Sequence, residues 1–351
     1  MTTPGSAQPL PSRAGSVGDV GERGLIEHIR RRLPPAPASV VIGIGDDAAV
    51  ATSDRGALQV LTTDALVEGI HFERRFSTPA DIGYKALAVN VSDIAAMGAA
   101  PRYALLSLIL PASLPFADVD GLLDGLIDVA KANNVTLVGG NITRSPGPLV
   151  VDVTVIGAVR PRRILTRSGG KPGDHLYVTG TIGAAAAGLG WLREPAGQGA
   201  DLPEDSGLAR CVLRHRRPEP RARIGALLGR SRAATACMDL SDGLADAVQQ
   251  IAEASGVGAR ISAAALPIHE AARRWFSRDG GDPVAAAIAG GDDYELLFAI
   301  SSRARGRLRH VIQQARGVEI TKIGELTVEP TIRIERDGGG IEPLPAGFVH
   351  F

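Results

Sequence analysis

Aspartate recurs at chemically telling places along this 351-residue chain. Asp46 and Asp47 stand together in GIGDDAAV, after the apolar run SVVIGIG, and Asp64 closes ALQVLTTD behind Thr62 and Thr63. Asp93 lies inside VNVSDIAAMG among small and apolar residues, where an ionised carboxylate is costly unless paired or coordinated. Asp239 and Asp242 flank Ser241 in MDLSDGLADA, and Asp292 and Asp293 follow two glycines in AGGDDYELL. Adjacent carboxylates repel at neutral pH unless solvent, a cation or the backbone path relieves them. Each also has a plain reading. Ser241 or Asp242 can cap a helix that begins there, and Asp46 or Asp292 can be turn residues. Taken together, several acid-bearing segments bracketed by glycine and small residues are not expected of independent turns. Oxygen ligands without histidine or cysteine suit magnesium, and magnesium at carboxylates points to a phosphate-bearing substrate.

The elements that must position these acids are short. Apolar β-prone runs occur at 39–45, 57–64, 102–111, 136–141 and 149–159, and helical spacing predicts helices over 80–98 and 116–134. Residues 18–160 thus form an α/β half, and residues 1–17 are expected to be a disordered tail. The turn-rich PRRILTRSGGKPGD opens a second half, 161–351, with the strand HLYVTG, a helix LADAVQQIAEASG and a strand-like ELLFAI. Strands and helices alternate irregularly, which favours α+β sheets with helices on one face over a doubly wound fold. The segment 191–211 carries no motif and reads as a variable surface loop.

Bulk composition excludes several classes. With 38 basic against 38 acidic residues, the chain has no overall basic footprint for nucleic acid and no polybasic membrane patch. Cys211 and Cys237 are the only cysteines, which argues against a disulfide scaffold or structural zinc and fits a reducing cytoplasm. No apolar run of membrane-spanning length and no hydrophobic signal core occur, so neither membrane insertion nor secretion is expected.

Two phosphate motifs fail. GGKPGD lacks the first glycine of a P-loop and has proline after its lysine. GIGDDA fits a dinucleotide fingerprint in letters, but the turn Ser53–Gly56 leaves no room for a crossover helix, and two carboxylates would face a pyrophosphate.

Seven ordered segments, GIGDDAAV, TTDALVEGIHF, YKALAVNVSDIAAMGAAP, VGGNITR, LTRSGGKPGDHLYVTGTIG, MDLSDGLADA and GGDDYELLF, resemble those of the thiamine-monophosphate kinases. These belong to the ATP-binding superfamily of aminoimidazole ribonucleotide synthetase. The resemblance implies two α/β-type domains, with the N-terminal sheet completing a barrel across a homodimer. It implies direct in-line transfer of the ATP γ-phosphoryl group to thiamine monophosphate, assisted by several magnesium ions. The implied metal ligands are Asp47, Thr62, Thr63, Asp64, Asp93, Asn141, Asp239 and Asp242; Asp46 falls outside the ligand set. ATP would meet Gly140, Asn141, Arg167 and Ser241, and the acceptor His71, Asp292 and Phe348. Two departures stand out: Asn141 replaces an aspartate after VGG, losing a charge, and Asp292 replaces a glutamate one methylene longer. The rival readings are a sister enzyme of the superfamily and a non-catalytic nucleotide-binding regulator on the same fold. Selenophosphate synthetase and the hydrogenase maturation protein fit less well, because their reactive cysteines have no counterpart at either end of this chain.

Overall fold

The computed structural model describes residues 16–44, 49–197, 201–345 and 347. The expected tail at 1–15, the duplet Asp46 and Asp47, and Phe348 lie outside the described residues. In chain order the first half contains α1 (Val17–Arg32), β1 (Val40–Ile42), β2 (Val50–Ala51), β3 (Leu58–Val67), α2 (Pro79–Ala96), β4 (Ala100–Pro111), α3 (Phe116–Asn133), β5 (Thr136–Ser145) and β6 (Val150–Val159). Helix α1 is tied down at its start by Val17 N–H donating to Leu114 O at 2.8 Å, so the fold reaches into the last two residues of the expected tail.

Strands β3, β6, β4 and β5 form one sheet in that order, antiparallel except for the β4–β5 pair. Alternation along β6 buries Val151, Val153 and Val155 under α2 and α3, while Asp152, Thr154 and Ile156 look to the other, open face. Gly140 is explained by the β4 neighbour: a Cβ there would lie 1.8 Å from Leu106 O, so only glycine lets the strands approach. No closed barrel exists within the chain, because this sheet has free edges at β3 and β5 among the described residues.

The second half contains β7 (His175–Thr179), α4 (Ala184–Arg193), α5 (Ser206–Arg216), α6 (Ala222–Ser231), β8 (Ala234–Asp239), α7 (Leu244–Ser255), β9 (Gly258–Ser262), α8 (Glu270–Ser277), α9 (Pro283–Ala289), β10 (Leu296–Ile300), α10 (Arg305–Gln314), β11 (Ile320–Thr327), β12 (Ile332–Glu335) and β13 (Ile341–Pro343). Its seven-stranded sheet runs β13-β12-β9-β11-β7-β10-β8. Helices on one face only were expected; here both faces are covered. Leu297 and Ala299 of β10 pack with Val248 and Ile251 of α7, whereas Phe298 and Ile300 pack with Leu228 of α6 and Val311 of α10. ELLFAI is apolar at nearly every position instead of alternating, which is the mark of a strand buried on both sides.

The segment 191–211 is also not a simple loop. It holds the end of α4 and the start of α5, and Leu192 is fully buried against Phe76 and Val212. Asp205 caps α5 by accepting from Gly207 N at 2.7 Å, a signal that the sequence DSGLARC carried.

A buried ion cluster secures the second half. Glu295, fully buried, accepts from Arg221 Nε at 2.6 Å and Nη2 at 2.5 Å, from Arg214 at 2.5 Å and from Thr179 at 2.6 Å. Removing one partner of such a buried pair costs about 3–5 kcal/mol, because the opposing charge is left uncompensated.

Candidate active site

Helix α2 brings the acids together. It is capped by Thr78, whose side chain accepts from Asp81 N at 3.2 Å, and it is buried almost all round. Asp93, near its C-terminal end, faces β3, where Thr62 Oγ1 donates to Asp93 Oδ2 at 2.5 Å. Asp64 lies two residues along β3, hence on the same face, and shares a hydrogen bond with Asp93. One residue before Asp93, Ser92 donates to Asp239 Oδ2 at 2.6 Å, and Asp239 ends β8 in the other half of the chain. The cluster therefore stands where the two halves meet.

Its electrostatics are those of carboxyls crowded in a dry place. Burial first, then the charge of Asp93, push the Asp64 carboxyl up to about 7, with Asp152 and Asp242 acting in the same direction. Burial, followed by Asp93, pushes Asp239 up to about 7, although the Ser92 hydroxyl favours its charged form. Asp93 is raised by burial as well, held back by its bonds with Thr62 and Asp64 and by the Arg167 guanidinium nearby. Such a set is one that a divalent cation would keep ionised at neutral pH. Among the described residues no three histidine, cysteine or acidic side chains are arranged to enclose a single ion. Magnesium fits this arrangement, because it keeps several waters and takes one or two carboxylates together with substrate phosphates.

The remaining expected ligands fall elsewhere. Thr63 points to the opposite face of β3, where it donates to Asp152 Oδ1 at 3.0 Å and stands 3.1 Å from Thr154 Oγ1. Asn141 lines a cleft of about 1130 Å³ over that open face, together with Gly139, Gly140, Thr154 and Ile156. The expected set is thus divided between two faces of one sheet. Neither Ser241 nor Asp242 caps α7: the cap position is Gly243, with φ +96°, and the helix starts at Leu244. The DLSD turn is instead zipped to the GGDDYEL segment by Asp292 N–H to Ser241 O at 2.7 Å and Tyr294 N–H to Leu240 O at 2.9 Å.

Within that segment the two aspartates diverge. Asp293 caps α4, accepting from Gly183 N at 2.6 Å and Ala185 N at 3.1 Å, and burial pushes its carboxyl up to about 7. Asp292, with a left-handed φ of +68°, turns towards Lys85 at 2.9 Å. His71 lies on the turn after β3, where its Nδ1 accepts from Val67 N at 3.1 Å. Arg167 is exposed, and its guanidinium donates to Gln250, whose amide in turn donates to Asp246 Oδ2 at 2.6 Å. Gly347 passes over the start of α7, since a Cβ on it would lie 3.0 Å from Asp246 N and 3.3 Å from Asp242 O.

Sequence reasoning missed Ser92, Lys85 and His215. Lys85 and Ser92 lie seven residues apart, on one face of a largely apolar and buried helix, and a lysine in that setting was the available signal. His215 had none, because it stands in no motif of the sequence.

Comparison with known proteins identifies the family. Residues 45–159 match the family AIR synthase related protein, N-terminal domain, and residues 171–337 match AIR synthase related protein, C-terminal domain. The paired α+β fold is that of this class. The thiamine-monophosphate kinase of Bacillus subtilis (strain 168) is 39% identical over 295 residues, covering 82% of this chain and 86% of its own. The crystal structure of the thiamine-monophosphate kinase from Stenotrophomonas maltophilia K279a superposes with a TM-score of 0.79 at 34% identity, covering 90% of this chain and 95% of its own. The structure described as AaThiL complexed with AMPPCP and TMP superposes with a TM-score of 0.73 at 31% identity, covering 95% and 98%. The chain belongs to the thiamine-monophosphate kinase family.

Proposed function

We propose that the chain phosphorylates thiamine monophosphate with ATP, giving thiamine diphosphate and ADP by direct in-line transfer. The observation that carries this is the meeting of Asp64, Asp93 and Asp239 at the junction of the halves, with Arg167 beside them, in a chain of this family. Both reactants are anions, and two unit charges about 4 Å apart repel by about 4 kcal/mol at an effective dielectric of about 20. Bound magnesium would supply the neutralisation of the transferring phosphoryl group. The ligands we assign to it are Asp47, Thr62, Asp64, Asp93, Asp239 and Asp242; Thr63 and Asn141, on the open face, are left out of this set. Arg167, Gly140 and Ser241 are assigned to ATP, and His71, Asp292 and Phe348 to the acceptor. Thr62 and Ser92 hold Asp93 and Asp239 in place.

Purified protein supplied with ATP, magnesium and thiamine monophosphate should form thiamine diphosphate, and should form none from free thiamine. ATP binding without product would favour a regulator, with Asn141 the first residue to examine.

We also propose that the chain divides near residue 160 into these two domains, and that two copies close the open face of the four-stranded sheet into a shared barrel. Val41 and Leu61 support this, being 63% and 64% exposed in the first half. Buried apolar faces drive such association. Leu61→Glu is expected to convert a dimer to monomer in sedimentation; an unchanged species would remove this face from the interface.

A further inference from the structure

The acceptor side of the proposed site contains a buried cation that the family assignment does not use. Lys85, 4% exposed, is the only buried lysine among the described residues. Its ammonium stands 2.9 Å from Asp292 Oδ2 and 3.4 Å from His71 O. It therefore touches two of the three residues assigned to the acceptor, His71 and Asp292, one in each half of the chain. A second group approaches the same oxygen: His215 Nδ1, from α5, is 3.3 Å from Asp292 Oδ2. That nitrogen is buried and has no hydrogen bond of good geometry, so it is aimed at the carboxylate without being satisfied. Both approaches fall on Oδ2, and no partner approaches Oδ1 among the described residues. The backbone of Asp292 is itself held left-handed by the zipped DLSD turn, so the carboxylate has little freedom of its own.

We propose that Lys85, with His215, is the positioning residue of the acceptor subsite: it locks the Asp292 carboxylate and the His71 turn so that Oδ1 alone receives an N–H or cationic heterocycle of the acceptor. This rests on the kinase reading above. Lys85 acts through Asp292 and His71 and does not meet the phosphates.

The test is calorimetric binding to the full-length chain, of thiamine monophosphate and separately of a non-hydrolysable ATP analogue with magnesium. Lys85→Met is expected to weaken thiamine monophosphate binding about tenfold or more while the nucleotide Kd stays within about twofold. Lys85→Arg, which keeps the charge, should restore most of the loss. Equal weakening of both ligands, no weakening, or no rescue by arginine would overturn the proposal. If Lys85→Met does not fold by circular dichroism, His215→Asn serves in its place; it should weaken the acceptor alone, and an unchanged acceptor Kd would overturn the proposal. Failure of the wild type to turn over thiamine monophosphate strikes the proposed reaction instead, because the binding ratios are read without turnover.

Discussion

Asp64→Asn is expected to lower kcat by about a thousandfold while the protein stays folded. The carboxylate sits on β3 within a hydrogen bond of Asp93 and is raised to about 7 by burial and by its neighbours, so its charge has no internal use that the fold requires. Asparagine keeps the shape and one oxygen but removes a charge that the metal and phosphates need. In the absence of magnesium the variant should melt no lower than wild type at pH 8, because a buried repelling charge has gone. Steady-state kinetics and a thermal melt on the same sample check both halves of this. Activity within tenfold of wild type would take Asp64 out of the metal set.

The second large effect is a coupling between pH, magnesium and stability. The Asp64 and Asp239 carboxyls are held at about 7 in the folded chain, against an ordinary 3.8. Between those values the folded state binds more protons than the unfolded state, so stability falls as pH rises through the window. Below the lower value both states are protonated, and above the upper one both are ionised and the loss is complete. Magnesium, which favours the ionised forms, should raise the melting temperature by several degrees more at pH 8 than at pH 5.5 and should release protons on binding. Asp293, raised to about 7 as the buried cap of α4, adds a slope of the same sign that does not depend on magnesium. The difference between melts in chelator and in magnesium isolates the cluster; a difference that does not change with pH would contradict the assignment.

Much of the cluster was legible because its members sit where local chemistry is conspicuous. Asp93 in an apolar helix and Asp239 at the end of a strand are costly placements, and the hydrogen bonds from Thr62 and Ser92 are what make them tolerable. The resemblance implies both Thr62 and Thr63 as ligands; a strand turns successive side chains to opposite faces, and of the two only Thr62 meets Asp93. In MDLSDGLADA the side-chain caps Ser241 and Asp242 were the visible signal, but Gly243, with φ +96°, sets the backbone at the cap and the helix starts one residue later. The two-sided burial of β10 was written in ELLFAI but was outweighed by the irregular order of elements. Lys85, His215 and Asp292 come from residues separated by up to 207 positions, and that convergence is a property of the fold which no local pattern encodes.

Helix α2 belongs to both halves at once. Its Leu87, Val91 and Ile94 are part of the core under the four-stranded sheet, while Ala95 and Ala96 pack with Leu228 and Phe298 of the other half. Gly225 of α6 approaches so closely that a Cβ would lie 2.0 Å from Ala95 O. Close-packed interiors do not slide or part without losing this contact. Parting the two halves would uncover this packed face, so a jaw-like opening carries a packing cost that rearrangement of the exposed connection bearing Arg167 does not.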